Sequence, residues 1–223
     1  MNTQADMLLP DEALQRTAPD DPDELDGRDD RRGESAVRTG AQVAVFAALI
    51  AALAVVPGLM IFGGQVPVTL QTLGVTVAAL ALGPWAGAAA VVVYLALIAV
   101  GLPVGSGGAG GLGVLTGPTG GYLVGFVLGA VVIGLLSRVA LRRGGRMVGL
   151  WLFVAGLAGL PLFYAVGVPW LQVATGMPWD KAWQLGAAVF VPGDLLKAAL
   201  AAVVVSAVAR ALPGSLPADP ARR

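Results

Sequence analysis

The residues best placed to do chemistry are Asp194 and Lys197, in the string PGDLLKAALA. A carboxylate and an ammonium three positions apart share one face of a helix, where they neutralise each other and face a common space. Both fall inside an apolar run long enough to cross a bilayer, where each isolated charge costs about 2.5 to 3.5 kcal/mol at the centre. The preceding Pro192 and Gly193 suit a helix start, whose free N–H groups favour an anionic ligand group. Two readings are open: a ligand or ion site, or an ion pair that only locks this helix to its neighbours.

Other chemistry is sparse. The chain has no Cys and no His, which excludes thiolate and imidazole metal sites, thiol nucleophiles and any Ser-His or Cys-His arrangement. With no paired carboxylates available within the apolar region either, no enzyme, metal site or resident cofactor is expected. The segment 105–122, GSGGAGGLGVLTGPTGGY, holds GxGxxG matches beginning at Gly105 and Gly108. No strand pattern precedes them, no acidic residue follows at the required distance, and no GK[ST] ending is present, so a nucleotide reading fails. Either the missing side chains let the backbone, including Gly111 and Gly113, approach a ligand closely, or the loop is a flexible connector.

The elements that must position Asp194 and Lys197 follow from composition. Charged residues make up 13% of the 223 positions and apolar ones 57%, against about 25% charged in soluble domains. Between Arg38 and Arg138 there is no ionisable Asp, Glu, Lys, Arg or His; a stretch of that kind belongs in lipid. Of the 14 acidic residues, all but Asp180, Asp194 and Asp219 lie within positions 1–35. That segment, polar and dotted with Pro10, Pro19 and Pro22, reads as a disordered tail. No signal-peptide pattern is present in it.

A hydrocarbon core about 30 Å thick takes roughly 20 helical residues to cross. That ruler predicts an all-α integral membrane domain over 36–212, built as a bundle of six transmembrane helices near 37–56, 69–82, 85–100, 120–141, 148–168 and 192–212. A short tail, 213–223, follows. The Gly83–Pro84 break joins helices two and three as a hairpin. Arg31, Arg32 and Arg38, then Arg138, Arg142, Arg143 and Arg146, then Arg210, Arg222 and Arg223 all fall on one face if the count is six. That face is the cytoplasm, with both termini there. The glycine-rich loop, the Asp180 loop and the start of helix six then share the outer face. Stripes of small residues at intervals of four, Gly121, Gly125 and Gly129 on helix four and Ala44, Ala48 and Ala52 on helix one, permit close helix approach. On helix one the stripe serves either the bundle or a partner subunit.

The strings VPVTLQTLGV (66–75), GGLGVLTGPTGGYLVGF (110–126), GVPWL (167–171) and PGDLLKAALA (192–201) together resemble the BioY family, the biotin-specific substrate-binding subunits of energy-coupling factor transporters. The likeness extends over about 37–212 and leaves the acidic tail unmatched. It implies six helices with cytoplasmic termini in a bacterial cell membrane, and biotin held near the outer face. It implies a transmembrane coupling subunit and two ATPase subunits as partners, with ATP used only by those partners; no nucleic acid is expected. The family's Asp and Lys map onto Asp194 and Lys197, and its docking surface onto Ala44 and Ala48, with Ala52 continuing the stripe and Ala47 and Ala51 as alternative registers. Biotin offers ureido N–H donors, a carbonyl, a carboxylate and an apolar ring, so Asp194 and Lys197 are suited to its polar ends. Thr69, Gln71, Tyr122 and Tyr164 are further polar candidates, and Trp170 and Trp179 either cover the ligand or belong to an interfacial belt. The alternatives are a subunit of the same class for another vitamin, and an ion-coupled secondary transporter with Asp194 as proton carrier.

Overall fold

The computed structural model describes residues 22–58, 63 and 66–218, with side chains described from Gly33 onward. The chain divides into a unit ending at Gly40 and a unit from Ala41 onward. The first helix, α1, runs Pro22–Val55. Residues 22–35, expected as part of a disordered tail, are therefore helical. Pro22 presets the backbone for a first turn. Residues 1–21 of that expected tail lie outside the described residues, as does most of the loop around Gly63.

From α1 the chain passes to a hairpin of α2 (Gln71–Leu82) and α3 (Pro84–Ala99). Gly83 alone makes the turn, at φ +82°, a backbone conformation open chiefly to glycine, and Pro84 opens the next helix without an N–H that would go unbonded. With 12 and 16 residues these helices are only about 18 and 24 Å long. Six crossings are expected; among the described residues four helical stretches are long and apolar enough to cross a membrane, Gly33–Val55, Gly120–Arg143, Val148–Thr175 and Trp179–Ala211, and the hairpin helices are shorter.

The glycine-rich loop after α3 is not a loose connector. It contains a 3-10 turn, Ser106–Gly108, and a short helix α4, Leu112–Thr116. The Gly111 N–H donates to the Ile98 carbonyl at 2.7 Å, and the Gly105 N–H to the Ala109 carbonyl at 2.8 Å. Helix α5 (Gly120–Arg143) follows.

The expected fifth helix is two helices end to end, α6 (Val148–Leu157) and α7 (Leu160–Thr175). Pro161 lacks the N–H that would bond the Leu157 carbonyl, and the ladder breaks there. Pro169, expected to end the helix, sits inside α7, a placement that packed membrane helices tolerate. The region expected as an Asp180 loop holds α8 (Trp179–Trp183) and a π-helical turn, Gln184–Ala188, leading into α9 (Val191–Ala211). After α9 the chain does not trail away: Leu216 and Ala218 are buried, and the Ala218 N–H donates to the Ala81 carbonyl near the hairpin turn at 3.1 Å.

Packing sorts the side chains by solvent. Ile50, Leu80, Tyr94, Ile133, Leu152, Phe163 and Leu171 are fully buried. Leu128, Leu150, Leu196, Leu200 and Val203 point outward, Leu196 at 71% exposure. A soluble protein does not spread apolar residues over its surface on this scale; in lipid this is the expected surface. The α5 glycines pack inside the bundle: a Cβ on Gly125 would lie 3.0 Å from the Phe163 Cα and the Leu162 carbonyl oxygen of α7. On α1, Ala47, Ile50, Ala51 and Ala54 face inward, while Ala44, Ala48 and Ala52 are exposed. Of the two alanine registers, only the second is free on this surface.

Candidate ligand-binding site

Asp194 lies in the first turn of α9, and Lys197 one turn later. Their side chains are 3% and 11% exposed, with Lys197 Nζ 2.9 Å from Asp194 Oδ1. Helix α2 brings Thr72, whose hydroxyl donates to Asp194 Oδ1 at 2.8 Å and accepts from Lys197 Nζ at 3.0 Å. Helix α7 brings Tyr164, whose hydroxyl donates to Asp194 Oδ2 at 2.6 Å. The cluster is formally neutral, and each member is oriented by the others. An ammonium has three donors and a carboxylate about four acceptor positions. The pair thus keeps a donor on Lys197 and an acceptor on Asp194 for a ligand.

These groups form part of the wall of a recess, a concave and mostly apolar setting of the kind small-molecule sites use. The remaining wall is mostly apolar and aromatic, with Ile98, Leu123, Phe126, Phe163 and Phe190. Phe126 and Phe163 meet edge to face with centroids 4.9 Å apart, an arrangement that fixes both rings. The recess lies at the end of the bundle where α9 starts. The arginines at the ends of α5 and α9, Arg142, Arg143 and Arg210, lie at the far ends of those helices, about 24 Å along α9 from Asp194 to Arg210.

The structure brings Thr69, Gln71, Tyr122, Tyr164, Asp194 and Lys197 to this one recess. Their roles differ. Thr69 Oγ1 accepts the Gln71 backbone N–H at 3.3 Å and steadies the start of α2. Gln71 Nε2 donates to the Tyr94 hydroxyl at 2.9 Å, leaving its carbonyl and the Tyr94 O–H for other partners. Tyr122 donates its hydroxyl to the Gly186 carbonyl at 2.6 Å, tying α5 to the π-helical turn before α9. Gly111 and Gly113 do not border the recess; Ser106, Val114 and Thr119 supply the loop's share of the wall. The reason is local. Gly111 serves the φ +90° start of α4, and the short helix turns the side of Val114 inward instead. Trp170 does not border the recess either: its indole N–H donates to the Gly117 carbonyl at 2.8 Å, holding the loop down, and Trp179 is exposed.

Thr72, Tyr94 and Ser106 were not singled out from sequence. Thr69, Thr72 and Thr76 follow a spacing of three and four along one helix face, which was a usable signal for Thr72. Tyr94 is one of only two tyrosines, with Tyr122, in the uncharged stretch between Arg38 and Arg138. Ser106 is identified only by geometry: its hydroxyl is buried beside the recess with no protein partner.

Comparison with known proteins identifies the family. The BioY family model matches residues 27–214. The chain is 42% identical to the biotin transporter BioY of Rhizobium etli, over 74% of this chain and 89% of that one. It is likewise 42% identical to the biotin transporter BioY of Rhodobacter capsulatus, over 78% and 94%. Among solved structures it resembles the S-component for biotin from an ECF-type ABC transporter, with a TM-score of 0.73 and 31% identity, over 79% of this chain and 93% of that one. By its sequence, its helical architecture and its length relative to these proteins, the chain belongs to the BioY family.

Proposed function

We propose that this chain is the biotin-binding membrane subunit of an energy-coupling factor transporter, and that biotin occupies the recess around Asp194 and Lys197. The observation that carries this reading is the buried neutral cluster of Asp194, Lys197, Thr72 and Tyr164 beside an apolar, aromatic wall. Biotin is an apolar bicyclic ring between a ureido group and a carboxylate, so it needs an acceptor, a donor or cation, and a greasy slot between them. The free acceptor position on Asp194 and the free donor on Lys197 meet the polar requirement, and Phe126, Phe163 and Phe190 meet the apolar one.

In this reading the short α2–α3 hairpin completes six crossings of a bacterial plasma membrane, with hydrophobic mismatch absorbed locally. The arginine-rich end faces the cytoplasm, as do both termini, and the recess opens outward. The exposed Ala44, Ala48 and Ala52 offer a flat surface to a transmembrane coupling subunit. Two ATPase subunits then provide the energy, and ATP is bound by those partners alone. The chain is a transporter subunit and not an enzyme.

A ligand panel tests the assignment. Biotin is expected to raise the melting temperature of the detergent-purified protein, while other vitamins of similar size leave it unchanged; a shift with another vitamin instead would reassign the recess. Uptake in cells lacking the partner ATPases is expected to be absent at any proton gradient, and gradient-driven uptake there would favour an ion-coupled carrier.

A further inference from the structure

A second concavity lies on the outer surface between α6 and α9, at the opposite end from the recess. It is lined by Gly149, Phe153, Ala199, Ala202, Val203 and Ser206. The two helices run in opposite directions, so Gly149, at the start of α6, stands beside Ser206, near the end of α9. A Cβ on Gly149 would lie 3.5 Å from Ser206 Oγ and 3.9 Å from Arg210 Nη2. The guanidinium of Arg210 is therefore at the groove's mouth. Arg210 is exposed and makes no ion pair with any described residue.

Three features describe one occupant. The groove is apolar and open to the lipid-facing surface, so a hydrocarbon chain fits it and a solvated peptide does not. At its mouth the unpaired Arg210 meets the first turn of α6, whose N–H groups lack intrahelical acceptors and favour an anion. Its length also matches: from Ala199 to Arg210 the helix rises about 16 Å, close to half of a hydrocarbon core of about 30 Å. We propose that this groove holds one acyl chain of an anionic phospholipid from the leaflet at the arginine-rich end, with the lipid phosphate against Arg210 and the α6 N-terminus. The inference rests on the membrane location of the bundle and is independent of what the recess binds.

Native mass spectrometry of the full chain, released from detergent containing equal amounts of phosphatidylglycerol and phosphatidylcholine, tests it. One phosphatidylglycerol molecule is expected to be retained roughly fivefold over phosphatidylcholine, the preference one arginine near a membrane surface provides. Arg210→Gln is expected to abolish the preference, and Val203→Trp, at a 63% exposed position, to displace the lipid by filling the groove. Melting temperatures of both variants check that they fold. Equal retention of the two lipids would overturn the proposal. So would a preference that survives Arg210→Gln but disappears in Arg142→Gln/Arg143→Gln, which would indicate a general basic belt. A dimer without lipid adducts would assign the groove to a second copy of the chain and also overturn it.

Discussion

The two ends of this bundle treat charge in opposite ways. Around the recess, Asp194 and Lys197 are buried and every ionic contact is met by a second helix: Thr72 from α2, Tyr164 from α7. At the far end, Arg142, Arg143, Arg146 and Arg210 are exposed, and none makes an ion pair with a described residue. Arg143 instead lies 4.7 Å from the centroid of the Trp151 ring, a cation–π contact. The difference follows from dielectric. A charge removed from water needs partners with good geometry, whereas a charge at the membrane surface is solvated and serves orientation and lipid contact. Removing a partner should therefore be costly at one end and nearly free at the other.

The largest effect is expected from Asp194→Ala, which strands the Lys197 ammonium and leaves Thr72 and Tyr164 without their acceptor. Breaking a buried pair costs about 3 to 5 kcal/mol, so biotin affinity by calorimetry should fall by roughly two orders of magnitude or more and the melting temperature should drop as well. Next comes Thr72→Val, which keeps the shape but removes a hydroxyl that bonds both charges. Hydrogen bonds to charged groups are worth about 1.5 to 3 kcal/mol, and a loss of affinity near tenfold or somewhat above is expected. Ser106→Ala should be smaller and cleaner. Its hydroxyl has no protein partner, so the unliganded protein should not lose stability, while affinity should fall by about the few-fold that a neutral hydrogen bond represents. Unchanged affinity would show that Ser106 only borders the ligand. The smallest effect belongs to the other end: Arg142→Gln with Arg143→Gln should leave biotin affinity intact and alter stability by less than about 0.5 kcal/mol.

Ala48 sharpens the comparison from a third direction, since it lies on the outward face of α1 and away from the recess-lining residues. Ala48→Trp should leave biotin binding at its wild-type level and stop uptake by the assembled transporter. Loss of binding and uptake together would count against a docking role.

Much of this architecture is legible in the sequence because lipid imposes simple rules. An uncharged stretch from Arg38 to Arg138 admits few folds, and the spacing of Asp194 and Lys197 fixes their shared face. What local rules handle less well is where tertiary packing overrides them. The break at Pro161 and the tolerance of Pro169 within α7 depend on which carbonyls the neighbouring helices leave exposed. The glycine-rich loop is ordered by long-range bonds such as Gly111 to Ile98 and Trp170 to Gly117, which no local pattern announces. Gly111 and Gly113 looked like ligand contacts because missing side chains permit close approach; in the fold Gly111 makes a turn instead. The local signal at Thr72 is weak, because a threonine in an apolar helix usually bonds its own preceding turn, as Thr76 does to the Thr72 carbonyl.

In the proposed function the buried pair grips biotin and is more than a lock between helices. Exchanging both charges at once separates these roles, because a buried pair replaced by neutral groups of similar volume often costs little stability. Titrating biotin calorimetrically into wild type and into Asp194→Asn/Lys197→Met should give saturable binding of one equivalent in the first and none at the same concentrations in the second, with closely similar melting temperatures before ligand is added. Equal biotin affinity in the two proteins would contradict the account.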